Sequence, residues 1–270
     1  MSAADAGLSL REFLRKRLDL SGRKAKELLD RRQVLVNGKR VWMARHPLRK
    51  GDRVAVQTGQ SSAAPTDKLE ILYRDDLLIA ANKPPGRLSD RHPAGVEALL
   101  RRQLDLPRLR ALHRLDRDTS GVLLFASESD KRDPYLELFR QRKVDKHYLV
   151  LLRGVPSPPR QTITRRLDGK SAETILTVLN RKKGYCLAEC RIVTGRTHQI
   201  RRHVRAVDCV VVGDRHYGPG DTLPAVERAI PRQMLHARRV TLPDPRTGLP
   251  LAIEATPPGD FQAARTRLGL

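Results

Sequence analysis

The segment from Thr58 to Lys68, TGQSSAAPTDK, restricts the fold of this chain more than any other feature. It consists of small and polar residues around one proline, with neither a strand nor a helix period of apolar positions, so it has nothing to bury. A chain of 270 residues divided in this way folds as two units. The boundaries read as 8–57 for a small first block, 58–68 for a flexible linker, and 69–262 for a large second block.

In the first block Ser9 and Glu12 form a capping box ahead of an amphipathic run carrying Leu10, Phe13, Leu14 and Leu18. Ser21 caps a second helix whose apolar stripe is Ala25, Leu28 and Leu29. Val34-Leu35-Val36, the pair Asn37-Gly38 and Lys39-Arg40-Val41 predict a hairpin, because Asn-Gly suits a type I′ turn. Arg53 to Val56 adds another short strand. Arg11, Arg15, Arg23, Lys24, Lys26 and Arg31 crowd the exposed helix faces. Two short helices leading into a small sheet under such a basic surface resemble the S4 RNA-binding module, which implies that these residues contact RNA. The plainer alternative is a solvated basic helical hairpin.

Charge supports a polyanionic partner. The chain has 53 Lys and Arg against 30 Asp and Glu, a net charge of +23 that repels itself in the folded state. Phosphates relieve this repulsion and release counterions. The amino terminus has no basic start followed by an apolar run, and no stretch is long and apolar enough to span a bilayer, so a membrane partner is not expected. Three cysteines, Cys186, Cys190 and Cys209, without framework spacing suit a reducing cytoplasm. Cys186 and Cys190 share one face of an expected strand and read as core residues, not metal ligands.

The second block mixes strands and helices. Leu78 to Ala81 and Val122 to Ala126 read as buried strands, Asp133-Pro134 starts a helix running to about Arg142, and Tyr148 to Arg153 is a further strand. Thr174–Leu179 and Tyr185–Ile192 flank a basic turn, and Val240–Leu242 and Leu249–Ala255 flank Asp244 to Gly248. Thr197 to Ala206 is short and helical. Hairpins dominate and regular strand–helix alternation is missing. The expected class is therefore mixed α+β, with a predominantly antiparallel sheet and flanking helices.

The most informative stretch is His113-Arg114-Leu115-Asp116-Arg117-Asp118-Thr119-Ser120-Gly121, directly before the apolar strand. A loop entering a buried strand holds a reactive side chain rigidly. His, Asp and Ser at this spacing invite a hydrolase reading, but there is no G-x-S-x-G elbow, and neighbouring loop residues rarely form a nucleophile–base–orienter chain. Ser120 reads as a turn residue and His113 as a structural hydrogen-bonder. Asp118 reads as an ion-pair partner for Arg117.

The pattern H-R-L-D-x-x-T-S-G resembles the signature of the RluA family of RNA pseudouridine synthases. Further segments resemble that family in order: Asn82-Lys83-Pro84-Pro85-Gly86, Lys146-His147-Tyr148, Thr194 to Arg201 with His203, Gly213-Asp214 with Tyr217-Gly218, and Leu235-His236-Ala237. The resemblance implies an isomerase that converts uridine in structured RNA to pseudouridine. Asp116 would be the catalytic carboxylate and Arg114 would displace the target base. Tyr148 would lie against the uracil, and Arg196 would pair with the aspartate and keep it ionised. Lys83 is expected on the RNA-binding surface. The reaction breaks N1–C1′ and rejoins the ring through C5 without oxidation or group loss, so no metal and no other cofactor is expected. Whether Asp116 attacks sugar or base, or removes a sugar proton, stays open. The two-part layout favours ribosomal RNA, with transfer RNA as the alternative, and a cytoplasmic monomer is expected.

The sequence departs from the family pattern at Arg87 to Pro93 and at Thr241 to Pro245, both loop segments. A rival reading is an RNA-binding or ribosome-assembly protein without catalysis, which would keep its function after loss of Asp116. A phosphodiesterase would need a metal site or a histidine pair.

Overall fold

The computed structural model describes residues 7–30, 34–41, 43–56, 68–90, 92–218 and 223–270. The chain divides into two compact units, 1–66 and 67–270. The segment expected to be a linker lies outside the described residues apart from Lys68.

The first unit begins with α1 (Leu10–Arg17), opened by the capping box: the Glu12 N–H donates to Ser9 Oγ, and the Ser9 N–H donates to the Glu12 carboxylate. The Lys24 N–H donates to Ser21 Oγ at the start of α2 (Gly22–Asp30). The strands β1 (Val34–Val36), β2 (Lys39–Arg40) and β3 (Val54–Val56) form an antiparallel sheet in the order β2-β1-β3. Leu10, Leu14, Ala25, Leu29, Val34 and Val36 make its core. The side chains of Arg11 and Arg15 lie exposed over Gly22, where the two helices approach, and Lys24 and Lys26 are exposed beside them. Arg31 and the Arg23 side chain are outside the described residues.

The described residues of the second unit are built on one sheet of eleven strands. In chain order its elements are β4 (Ile71–Arg74), β5 (Leu78–Lys83), α3 (Val96–Leu104), β6 (Arg110–Ala111), β7 (Ser120–Ala126), α4 (Asp133–Arg140), β8 (Asp145–Arg153), β9 (Arg160–Ile163), β10 (Thr174–Lys182) and β11 (Tyr185–Ile192). There follow α5 (Gln199–Arg205), β12 (Val210–Val211), β13 (Leu235–Pro243), β14 (Pro250–Glu254) and α6 (Gly259–Leu268). The main path runs β4-β5-β7-β13-β8-β11-β10-β9, with β6, β12 and β14 attached beside it. Pairing is antiparallel throughout the described sheet except between β7 and β13.

Side-chain alternation explains the layers. On β8, Val150 and Leu152 face a core shared with Leu99, Leu100, Ile200 and Val204 from α3 and α5, while Leu149 and Leu151 face Phe261, Ala264 and Leu268 of α6. Every residue of β7 is buried, so both its faces are covered. Helix α6 extends past the expected end of the block at 262, because its apolar face closes the sheet.

Candidate active site

The parallel pair β7–β13 places the loop 112–119 at the centre of the sheet. It forms only because residue 121 is glycine. At φ +112°, a Cβ there would lie 2.1 Å from the Ala237 carbonyl oxygen. Ser120 is not a free turn residue. It opens β7, is buried, and its hydroxyl lies 2.9 Å from His236 Nδ1.

The loop backbone is held from several sides. Lys83 Nζ donates to the carbonyls of Arg117 and Thr119 at 2.8 Å and of Pro84 at 3.0 Å. Ser89 Oγ donates to the Leu115 carbonyl and accepts from the Leu115 N–H. Arg232 donates to the Asp118 carbonyl at 2.9 Å, while its other edge grips Asp260 of α6. The expectation that Lys83 lies on the RNA-binding surface is therefore corrected: its side chain is 0% exposed, and its donors brace the loop from within. Burial holds its amine down, to about 7.

Asp116 projects from this frame into a cavity of about 510 Å³, lined among others by Arg114, Tyr148, Ile192, His198 and Arg201. The guanidinium in contact with it belongs to Arg201, not Arg196. Arg201 Nη1 donates to Asp116 Oδ2 at 3.0 Å, while Nε and Nη2 donate to Asp214 at 2.6 and 2.8 Å. Asp214 also accepts the N–H groups of His216 and Tyr217, and the Tyr217 ring stacks on the guanidinium at 4.9 Å. Burial alone would raise the Asp214 carboxyl. The Arg201 hydrogen bonds outweigh it and hold the carboxyl below its ordinary range. His198 Nε2 lies 3.8 Å from Asp116, and its Nδ1 is 3.0 Å from the Tyr217 hydroxyl.

Arg196 sits in the turn before α5, lines the same cavity, and donates to the Ser171 carbonyl at 3.2 Å. Helix geometry explains the exchange of roles. Gln199 caps the Thr194–Arg196 turn through its side chain, and Arg201, on the buried face of α5, then points at the loop. Tyr148 is buried on β8 and faces the cavity; burial, reinforced by the Asp116 charge, pushes its phenol above the ordinary tyrosine range. Arg114 is 73% exposed at the cavity rim, with Nε 3.4 Å from Asp90. Arg117 and Asp118 lie 3.4 Å apart, as their ion-pair reading expects. Arg201 and Asp214 both stand within the family-like motifs, but a linear pattern does not show which of two arginines faces inward.

Among the described residues, no cluster of His, Cys, Asp and Glu has metal-binding geometry, and no helix is long and apolar enough to cross a membrane. The three cysteines are buried in the core.

The chain matches the family model described as RNA pseudouridylate synthase over residues 77–206. It is 34% identical over 259 residues to the ribosomal large subunit pseudouridine synthase D of Xanthomonas campestris, covering 83% of this chain and 78% of that protein. An uncharacterized RNA pseudouridine synthase of Bacillus subtilis is 32% identical over 261 residues, covering 85% of this chain and 83% of that one. Among solved structures, human RNA pseudouridylate synthase domain containing 4 superposes with a TM-score of 0.63 at 27% identity, covering 74% of this chain and 93% of that chain. The motif order, the cavity-facing aspartate paired with a buried arginine at the head of the central strands and these matches agree, and the chain belongs to the RNA pseudouridine synthase family, whose members are isomerases.

Proposed function

We propose that the substrate is large-subunit ribosomal RNA and that Asp116 is the catalytic carboxylate. The observation that carries this reading is the placement of Asp116 on a loop braced by Lys83, Ser89 and Arg232, 3.0 Å from Arg201 and open to a cavity that also holds Tyr148. Arg201 fixes the carboxylate in one orientation, which a bond-making or proton-abstracting role needs. The buried Tyr148 ring supplies a flat apolar face for the displaced uracil. Its phenol stays protonated, so it acts as a surface and a hydrogen-bond donor. Arg114, exposed at the rim, is placed to enter the stack and fill the space of the target base, whose extrusion costs a few kcal/mol. The first unit, with Arg11, Arg15, Arg23, Lys24, Lys26 and Arg31, would anchor phosphates as an S4-like module. The support for ribosomal RNA is the activity for which the Xanthomonas relative is named.

The test is tritium release from unmodified transcripts labelled at uracil C5, comparing wild type with Asp116→Ala. The C5 hydrogen is lost only when C5 becomes the sugar linkage. Release by wild type alone from large-subunit transcripts, and not from transfer RNA, is the expected result. Binding of both RNAs without release by folded wild type would favour an RNA-binding protein without catalysis.

A further inference from the structure

Lys146 has no part in the chemistry described so far, yet its surroundings are those of a ligand contact. It lies in β8 two residues before Tyr148, so both side chains leave the same face of the strand about 7 Å apart. Its side chain is 6% exposed and lines the cavity of Asp116. Its ammonium has one weak acceptor, the Thr194 carbonyl at 3.4 Å, and sits near the Phe139 ring, 5.6 Å from its centroid.

Among the described residues, the rest of its surroundings provide no counter-charge. His113 is neutral, since burial and then the Lys146 charge push its imidazole down to about 3. Among the described residues, Asp145 is the carboxylate whose charge reaches Lys146, and alternation puts Asp145 on the other face of β8, where both its oxygens accept from Arg191. Burying an ammonium without such compensation is strongly unfavourable. Burial lowers this amine to about 8, so it remains mostly charged at neutral pH. A buried cation with unused N–H donors, facing a cavity and lacking a counter-ion, fits a site where negative charge arrives with the substrate.

We propose that Lys146 is a further catalytic residue, donating a hydrogen bond to a uracil carbonyl oxygen and stabilising the negative charge that the ring acquires during isomerisation. This rests on the reading of Asp116 and Tyr148 given above. When the N1–C1′ bond breaks, its electron pair stays with the ring and spreads over O2 and O4. The freed C1′ bonds Asp116 or gives up its neighbouring 2′ proton to it. The pair then returns as the C5–C1′ bond, which releases the carboxylate or takes the 2′ proton back, and the C5 hydrogen leaves as a proton while N1 takes one up. Attack of Asp116 on the base instead of the sugar also places charge on a ring oxygen. Lys146 keeps its proton in every route. A backbone phosphate is the other anion at hand, but phosphates belong at the cavity mouth, where Arg114 and Arg142 are exposed.

Lys146→Met keeps an unbranched side chain only one atom shorter and removes the charge. On C5-tritiated large-subunit transcripts, the single-turnover rate should fall by about 100- to 1000-fold, the loss typical of a preorganised donor to a developing anion. RNA affinity should stay within about threefold, and the melting temperature should hold or rise, because a buried unpaired charge has gone. Lys146→Arg, tested in parallel, should fold and recover part of the rate. An unchanged rate in the Met variant would overturn the proposal. So would weakened binding at an unchanged rate, which would assign Lys146 to a phosphate. Collapse of the melting temperature in both variants would make the residue structural and overturn it as well. Wild type and Asp116→Asn serve as references: a silent wild type removes the underlying reading too, whereas an active wild type, a silent Asp116→Asn and a fully active Lys146→Met sink only the role of Lys146.

Discussion

Asp116 meets Arg201 through a charge-assisted hydrogen bond of 3.0 Å, and Asp214 holds the opposite edge of the same guanidinium. One arginine thus links a carboxylate that opens to the cavity with one that is buried. The buried partner fixes the guanidinium, and the guanidinium fixes the reactive group.

Arg201→Lys should therefore lower the tritium-release rate by about 100-fold or more, since an ammonium cannot bridge two carboxylates in a planar fork. Arg196→Ala should cost about tenfold or less, because its guanidinium lies on the Ser171 carbonyl. Equal losses for the two variants would contradict the assignment.

Acid stability should report Asp214. Its carboxyl sits lower in the fold than its ordinary 3.8, so it contributes stability above that pH, which is lost as the pH falls through the folded value. Asp214→Asn should shrink the loss of melting temperature on acidification below about pH 4. An acid limb identical to wild type would show that the pair is not linked to folding.

Alkaline stability should report Tyr148. Its phenol is raised by burial and by Asp116, so above pH 10.0 the unfolded chain loses this proton while the native fold keeps it. Stability falls with rising pH in that window, and Tyr148→Phe should flatten part of the slope in denaturant titrations. The same variant keeps the ring and should retain much more activity than Tyr148→Ala, which loses the flat face.

Gly121→Ala should destabilise by about 3 kcal/mol or more, from backbone overpacking together with a left-handed conformation that L residues avoid. Thermal unfolding measures this directly. A stable Gly121→Ala protein would mean that β7 and β13 do not approach as closely as described.

The basic face of the first unit can be read from salt dependence. Replacing Arg15 and Lys24 with glutamine should reduce the slope of log K against log salt by about 0.7–0.9 for each phosphate that is no longer neutralised, with little change in the rate at saturating RNA. An unchanged slope would place the RNA elsewhere.

Local patterns carried much of this architecture in the sequence alone. The Ser9–Glu12 box, the Asn37-Gly38 turn, the hairpin around Gly184 and the apolar run of β7 act over a few residues, so their signals lie in contiguous sequence. The motif around Asp116 identified the loop for the same reason. Helices α3 and α6 were not legible, because they are defined by the sheet faces they cover. Tertiary structure alone decided that Arg201 and not Arg196 meets Asp116, that Lys83 is a buried brace, and that Lys146 faces the cavity without a counter-ion among the described residues. These outcomes depend on which face of a helix or strand meets a loop many residues away. A linear motif names the residue types that can do the chemistry, and packing selects which of them point inward.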